Sequence, residues 1–191
     1  MLGRISEWLQ GKVNGWVALV GLVVFLLFSA LVLPGQSAQT ETYSGDAGSP
    51  DMSLLYSTGD LYQMAETYGE EGRQSYVRAR LIFDVAFPLV FTLFLTTAIT
   101  WLTAKGFAAG SPGLWRRANL VPLLGGLFDY LENGSTALVM ARYPLRTPIV
   151  DRLAPLFTLL KWLLVGGSIL LLVVAGAVAL YRWGKRGKGE S

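Results

Sequence analysis

The chain has 191 residues, of which 52% are hydrophobic and 15% are charged, and its mean hydropathy is +0.45. A soluble domain usually carries about 25% charged residues, so this composition indicates an integral membrane protein. Cys and His are both absent, which excludes disulfides, Cys/His zinc sites, His-ligated haem, and thiol or imidazole catalysis. We expect no cofactor and no bound metal.

Four apolar stretches are long enough to cross a bilayer, whose core needs roughly 20 residues of helix. They predict spans at about residues 16–33, 81–104, 120–140 and 155–181 of a single all-α domain, an integral membrane four-helix bundle over residues 1–191. The first stretch ends at Pro34–Gly35. It is longer than a signal-peptide core of about 7–15 residues, so we expect it to be retained as a span.

The positions of Lys and Arg predict a multi-pass protein of the cell membrane with both termini in the cytoplasm. The segments that are then inside carry nine basic residues and two acidic ones, whereas those outside carry six basic and eight acidic residues. The nine inside basic residues are Arg4, Lys12, Lys105, Arg116, Arg117, Arg182, Lys185, Arg186 and Lys188. A basic tail after an apolar span is typical of an anchor at anionic lipid headgroups, so we expect membrane lipids as partners and no nucleic acid.

The external segment between the first two spans covers residues 34–80. Its residues 35–52 are polar and rich in Gly and Ser, which predicts an irregular loop. Leu61, Met64, Ala65 and Tyr68 then recur at i, i+3, i+4 and i+7, which predicts a short amphipathic helix. This helix either covers the mouth of the bundle or acts as a mobile lid. From Glu70 a helical pattern continues into the second span.

Four ionisable side chains fall inside the predicted spans, and counting from the span ends places all four in the outer half of the bilayer. Such groups cost roughly 2.5–3.5 kcal/mol each on insertion, so they usually face the bundle interior. Asp129, Glu132 and Asn133 lie at i, i+3 and i+4, so they share one helix face. Lys161 is the only cation inside the predicted spans, and an arginine at the outer end of the second span can reach into the bundle. Together these features predict one polar pocket. Its predicted ligand-binding residues are Arg80, Asp84, Asp129, Glu132, Asn133 and Lys161.

Three interpretations of this cluster stay open: a salt-bridge network that joins helices, a ligand-binding or catalytic pocket, and a proton or cation path. Asp84, Asp129 and Glu132 are the candidates for catalysis. A carboxyl in a low-dielectric site keeps its proton, whereas one beside Lys161 stays ionised, so two carboxyls could take opposite roles in acid–base chemistry.

Two functions from different classes follow. The first is binding of a small apolar or amphipathic molecule in the pocket, with acid–base conversion as an open extension, so the sequence does not decide whether the protein is an enzyme. The alternative is a non-catalytic accessory or assembly subunit of a larger membrane complex. Its apolar faces would then contact partner helices or further copies of the chain.

Three short motifs carry a resemblance: Gly72-Arg73-x-x-Tyr76, Asp84-x-x-x-Pro88 and Asp129-x-x-Glu132-Asn133. Together they resemble a pattern of small bacterial four-span membrane proteins of unknown function, over about residues 55–165. This resemblance implies four membrane helices and no particular activity. The architecture is also similar to the sterol isomerase and sigma-2 receptor group, in which four helices enclose an apolar cavity with embedded carboxylates. That likeness is architectural, since no functional residue of the group aligns with this chain.

Overall fold

The computed structural model describes residues 2–107 and 113–188, and every regular element in those ranges is helical. The all-α prediction is therefore confirmed. Short 3-10 turns occupy Gly45–Ala47, Pro50–Met52 and Ala118–Leu120. The α-helices in chain order are α1 (Leu2–Lys12), α2 (Gly15–Leu31), α3 (Leu33–Ser44), α4 (Thr58–Thr67), α5 (Gly69–Gly106), α6 (Gly113–Arg117), α7 (Val121–Arg142) and α8 (Val150–Lys188).

Within the described ranges, two helices are long and apolar enough to cross a membrane, over Gly69–Gly106 of α5 and Val150–Lys185 of α8. A third candidate is the pair Gly3–Lys12 and Gly15–Leu31, which qualifies only when taken together and is bent by 96°. These helices agree with a membrane protein. The number of four spans stays a prediction.

The segment predicted to be an irregular loop is largely helical, so that prediction was wrong. Helix α3 covers Leu33–Ser44, and Pro34 lies in its first turn. A proline is favourable there because its fixed φ suits a helix and its missing N–H has no partner to lose. Between residues 33 and 57, irregular backbone and 3-10 turns are confined to residues 45–57, where Gly45 and Gly48 have positive φ values of 48° and 68°.

The predicted amphipathic helix is confirmed as α4. Ser57 and Asp60 form a capping box at its start, in which the Ser57 N–H donates to Asp60 Oδ2 at 2.7 Å and the Asp60 N–H donates to Ser57 Oγ at 3.2 Å. The hydrogen bond from the Ser57 N–H holds the pKa of the exposed Asp60 below its usual value. The buried face of α4 packs into a cluster made of Leu61, Tyr62, Met64, Ala65, Tyr68, Tyr76, Val139, Met140 and Ala154.

The chain divides into two compact units. Unit A comprises Met1–Phe25, Val90–Leu124 and Leu164–Ser191, and unit B comprises Leu26–Leu89 and Gly125–Leu163. All six predicted site residues belong to unit B, together with the whole of α4 and the cluster on which it packs.

Candidate functional site

Arg80 on α5 joins three segments of unit B through a buried guanidinium. Its Nε lies 2.8 Å from Asp84 Oδ2, one turn further along the same helix, and its Nη1 lies 3.2 Å from Asp51 Oδ2. Nη1 also donates to Asn133 Oδ1 on α7 at 3.2 Å, and the group stacks over the Tyr76 ring at 4.5 Å. These contacts use the planar, multiply donating shape of a guanidinium, which an ammonium lacks.

Lys161 on α8 forms an ion pair with Glu132 Oε2 on α7. Its Nζ also lies 4.0 Å from Asp129 Oδ1 and donates to the carbonyl oxygen of Asp51 at 3.2 Å. Glu132 is fully buried and Lys161 is 6% exposed. A charged lysine can be buried this deeply because oxygen partners replace the water that it loses.

Asn133 connects the surroundings of the two cations. Its Oδ1 accepts the hydrogen bond from Arg80, and its Nδ2 donates to Asp129 Oδ1 at 3.0 Å. That same Asp129 oxygen is the one nearest to Lys161. Arg80 and Lys161 therefore belong to one continuous network, which we call the charge cluster: Asp51, Arg80, Asp84, Asp129, Glu132, Asn133 and Lys161.

A series of hydroxyl groups leads from the charge cluster to a half-buried tyrosine. Thr158 Oγ1 donates to Glu132 Oε1 at 2.9 Å and lies 3.0 Å from the Tyr56 hydroxyl. Burial is the main influence on the phenol of Tyr56 and raises its pKa, so Tyr56 keeps its proton, and either hydroxyl can donate in its hydrogen bond with Thr158. The buried carboxylate of Glu132 is thus two hydrogen bonds away from a side chain that water reaches.

Asp51 is the member of the charge cluster that sequence reasoning missed. It lies in the Pro50–Met52 turn, where its carboxylate accepts from Ser49 Oγ and pairs with Arg80. Burial by itself would raise the pKa of Asp51, but the Arg80 charge, the Ser49 hydrogen bond and the Lys161 charge together bring this pKa below its usual value. No local pattern marks Asp51, because a turn residue has no periodicity that reveals its distant partners.

The structure brings together all six residues of the predicted pocket: Arg80, Asp84, Asp129, Glu132, Asn133 and Lys161. It also identifies the carboxylates that the sequence left unassigned, since Lys161 pairs with Glu132 and Arg80 pairs with Asp84 and Asp51. The roles of these residues in ligand binding or catalysis stay predictions.

Four carboxylates and two cations form the charge cluster in the described part of unit B. With all of them ionised, the cluster carries two more negative charges than positive ones. In a low-dielectric site such an excess favours protonation of a carboxyl or binding of a positively charged or hydrogen-bond-donating group. Asp129 is the carboxylate with the most distant cation, so its charge is the least compensated.

Comparison of the chain with known proteins finds no matching family model, no matching curated protein and no matching solved structure.

Proposed function

We propose that this protein is a polytopic membrane protein that binds a small amphipathic molecule at the charge cluster. The polar head of this molecule would carry a positive charge or a hydrogen-bond donor, and its remainder would be apolar. The observation that carries the proposal is the excess of carboxylates over cations in the described part of unit B. A purely structural network would gain nothing from this excess, because each unpaired carboxylate adds repulsion and desolvation.

Asp129 is the residue on which the head group of the ligand is proposed to bind. The Asp129 carboxylate accepts from Asn133 Nδ2 at 3.0 Å but lies 4.0 Å from its nearest cation, Lys161. Lys161 in turn has a closer partner in Glu132. A donor on the ligand would therefore bind Asp129 without breaking a primary ion pair.

Acid–base conversion of the bound molecule would use the same arrangement. Glu132, paired with Lys161, would begin ionised and take a proton from the bound molecule, whereas Asp129 would stay ionised and hold its head group. The hydroxyls of Thr158 and Tyr56 would then exchange protons between Glu132 and water.

The membrane topology is part of the proposal. Four spans at about residues 16–33, 81–104, 120–140 and 155–181, with both termini in the cytoplasm, would place the charge cluster in the outer half of the bilayer. The support is the presence of two membrane-length helices, α5 and α8, and the segregation of basic residues along the sequence.

Native mass spectrometry of the protein, released gently from the membrane in which it was made, tests the proposal. We expect the wild-type protein to retain an adduct of small-molecule mass and Asp129→Asn to lose it with an unchanged thermal transition. The matched control is Asp46→Asn, the same chemical change at an exposed position, which should keep the adduct. An adduct that Asp129→Asn retains in full, or a wild-type protein without an adduct, contradicts the proposal.

Glu132→Gln separates binding from folding in the same experiment. This variant leaves Lys161 buried without its ion pair, which should lower the free energy of unfolding by about 3–5 kcal/mol. Loss of the adduct in Glu132→Gln alone would therefore report a damaged fold. Co-purification of other chains at fixed stoichiometry, with no adduct, would favour the alternative of an accessory or assembly subunit.

A further inference from the structure

Helix α1 is held against the rest of unit A by a buried polar contact. Ser6, which is 1% exposed, donates from Oγ to Asn119 Oδ1 at 2.9 Å. Asn119 is fully buried and donates from Nδ2 to Thr100 Oγ1 on α5 at 3.1 Å. Because a buried hydrogen bond of this kind is costly to leave unmade, the face of α1 that carries Ser6 is fixed toward the protein.

The other faces of α1 differ sharply in polarity. Ile5, Trp8 and Leu9 lie at i, i+3 and i+4, so they share one face, about a quarter turn from Ser6. Ile5 is 37% exposed and Trp8 is 62% exposed. Glu7 is exposed and points roughly opposite to Ile5. One side of α1 thus contacts protein. An adjacent side carries Ile5, Trp8 and Leu9, with Lys12 one turn beyond Trp8 on the same side, and Glu7 lies on the opposite side.

The angle between α1 and α2 indicates how the faces of α1 would be oriented relative to a membrane. The two helices, separated by Val13 and Asn14, are bent by 96°, and Asn14 Oδ1 caps α2 by accepting from the Val17 N–H at 3.0 Å. Helix α2 exposes large aliphatic side chains such as Val20 and Val23. If α2 runs along the bilayer normal, α1 lies parallel to the membrane surface, as an interfacial amphipathic helix does.

Charge identifies the surface that α1 would meet. Arg4 and Lys12 are both exposed on this short helix. Across its whole sequence unit A carries nine Lys and Arg residues and two acidic residues, Glu7 and Glu190. Exposed Arg4 and Lys12 on the same short helix as exposed Ile5 and Trp8 complement anionic phospholipid headgroups above an acyl layer.

We propose that α1 is an in-plane helix that binds anionic phospholipid, with Ile5 and Trp8 inserted at the boundary between headgroups and acyl chains and with Arg4 and Lys12 at the phosphates. The proposal requires that the chain crosses the membrane, but it does not depend on ligand binding at the charge cluster.

Because the chain has no Cys, single-cysteine variants of the full chain with a nitroxide label can measure depth in vesicles. Ile5→Cys places the label on the apolar face with Trp8 intact, and Glu7→Cys places it on the polar face two residues later. Val23→Cys, at an exposed position of α2, is the control for membrane insertion. We expect higher accessibility to oxygen than to a nickel complex at positions 5 and 23, and the reverse at position 7.

The lipid requirement is tested in vesicles of phosphatidylcholine alone and of phosphatidylcholine with phosphatidylglycerol. We expect phosphatidylglycerol to move the label at position 5 deeper, and the double substitution Arg4→Gln and Lys12→Gln to abolish this shift with no change at position 23. Equal nickel accessibility at positions 5 and 7 would overturn the proposal. A label depth at position 5 that does not change when phosphatidylglycerol is added would also overturn it. Nickel accessibility at position 23 would overturn it by showing that α2 does not lie in the acyl layer.

Discussion

Individual charged residues in the charge cluster are stable in a buried site because each has an oppositely charged partner. Arg80 contacts Asp84 on its own helix, Asp51 on a turn and Asn133 on α7. Removal of one partner from such a network leaves the opposite charge buried and unpaired, which is more damaging than the loss of the contact energy alone.

Asp51 gives unit B a predictable response to acid. Its pKa in the folded protein lies below the ordinary value of 3.8, so its ion pair with Arg80 stabilises the fold above that value and is lost as the pH falls through the folded pKa. We expect Asp51→Asn to lower the thermal transition at about pH 6, and we expect this deficit to shrink as the pH falls below 3.8.

The measurement is the thermal transition of both proteins across this pH range, with the exposed Asp46→Asn as the charge-matched control. A deficit in Asp51→Asn that is as large near pH 3 as near pH 6 would contradict a stabilising role of the ionised carboxylate.

The sequence predicted most of the charge cluster at the residue scale because an ionisable side chain inside an apolar helix is rare and expensive. This argument selected Asp84, Asp129, Glu132 and Lys161. The same argument could not identify Asp51, because an acidic residue in a polar turn is common and nothing local shows its partners.

At the scale of helices, the apolar pattern and the terminal residues explain most of the observed boundaries. Helix α4 begins at a Ser57–Asp60 capping box and buries the residues predicted from its periodicity. Helix α3 was missed because Pro34–Gly35 is a common stop signal, although a proline in a first turn also starts a helix.

Close helix contact in unit A depends on Gly21 of α2. A Cβ atom at this position would lie 2.8 Å from Thr97 Oγ1 and 3.4 Å from the Phe94 Cα on α5. The Thr97 hydroxyl is held in place by its hydrogen bond to the Leu93 carbonyl at 2.7 Å. We expect Gly21→Ala to lower the free energy of unfolding by about 1–3 kcal/mol, as overpacking usually does.

Gly166→Ala on α8 is the matched control, because a Cβ there has no atom within 4 Å. Alanine should stabilise that helix by up to about 1 kcal/mol through its higher helix propensity. Denaturant unfolding in one detergent compares the two variants, and equal effects of the two substitutions would show that Gly21 is not a packing contact.

At the scale of the whole molecule, the two units differ in their content of basic and acidic residues. Unit A holds nine of the sixteen Lys and Arg residues but two of the thirteen acidic residues. The segments that form unit A are those that the sequence assigned to the cytoplasmic side, together with the adjoining parts of the spans. The positive-inside rule therefore favours unit A as the cytoplasmic part of the protein.

Maleimide labelling of single-cysteine variants tests this orientation in sealed cells. We expect Asp46→Cys in unit B to react with an impermeant reagent from outside and Lys105→Cys in unit A to react only after the cells are opened. Both positions are exposed in the structure. Reaction of both from the same side would refute a single crossing by the intervening α5.

The resemblance to small bacterial four-span membrane proteins stays a prediction, as do the four spans themselves. The architectural likeness to the sterol isomerase and sigma-2 receptor group also stays a prediction. A labelling scan over all the loops would count the spans and would bear on both likenesses.

The sequence by itself determined that this is a helical protein suited to a membrane, with a few ionisable residues that must find partners inside it. Those conclusions rest on hydropathy and periodicity, which are local properties of successive residues. Only the tertiary structure decided that Lys161 pairs with Glu132 and that Asp51, 110 positions before Lys161, offers it a backbone carbonyl. Ion pairs and hydrogen bonds depend on distances of a few ångströms between atoms that are remote in the chain, and no local pattern encodes them.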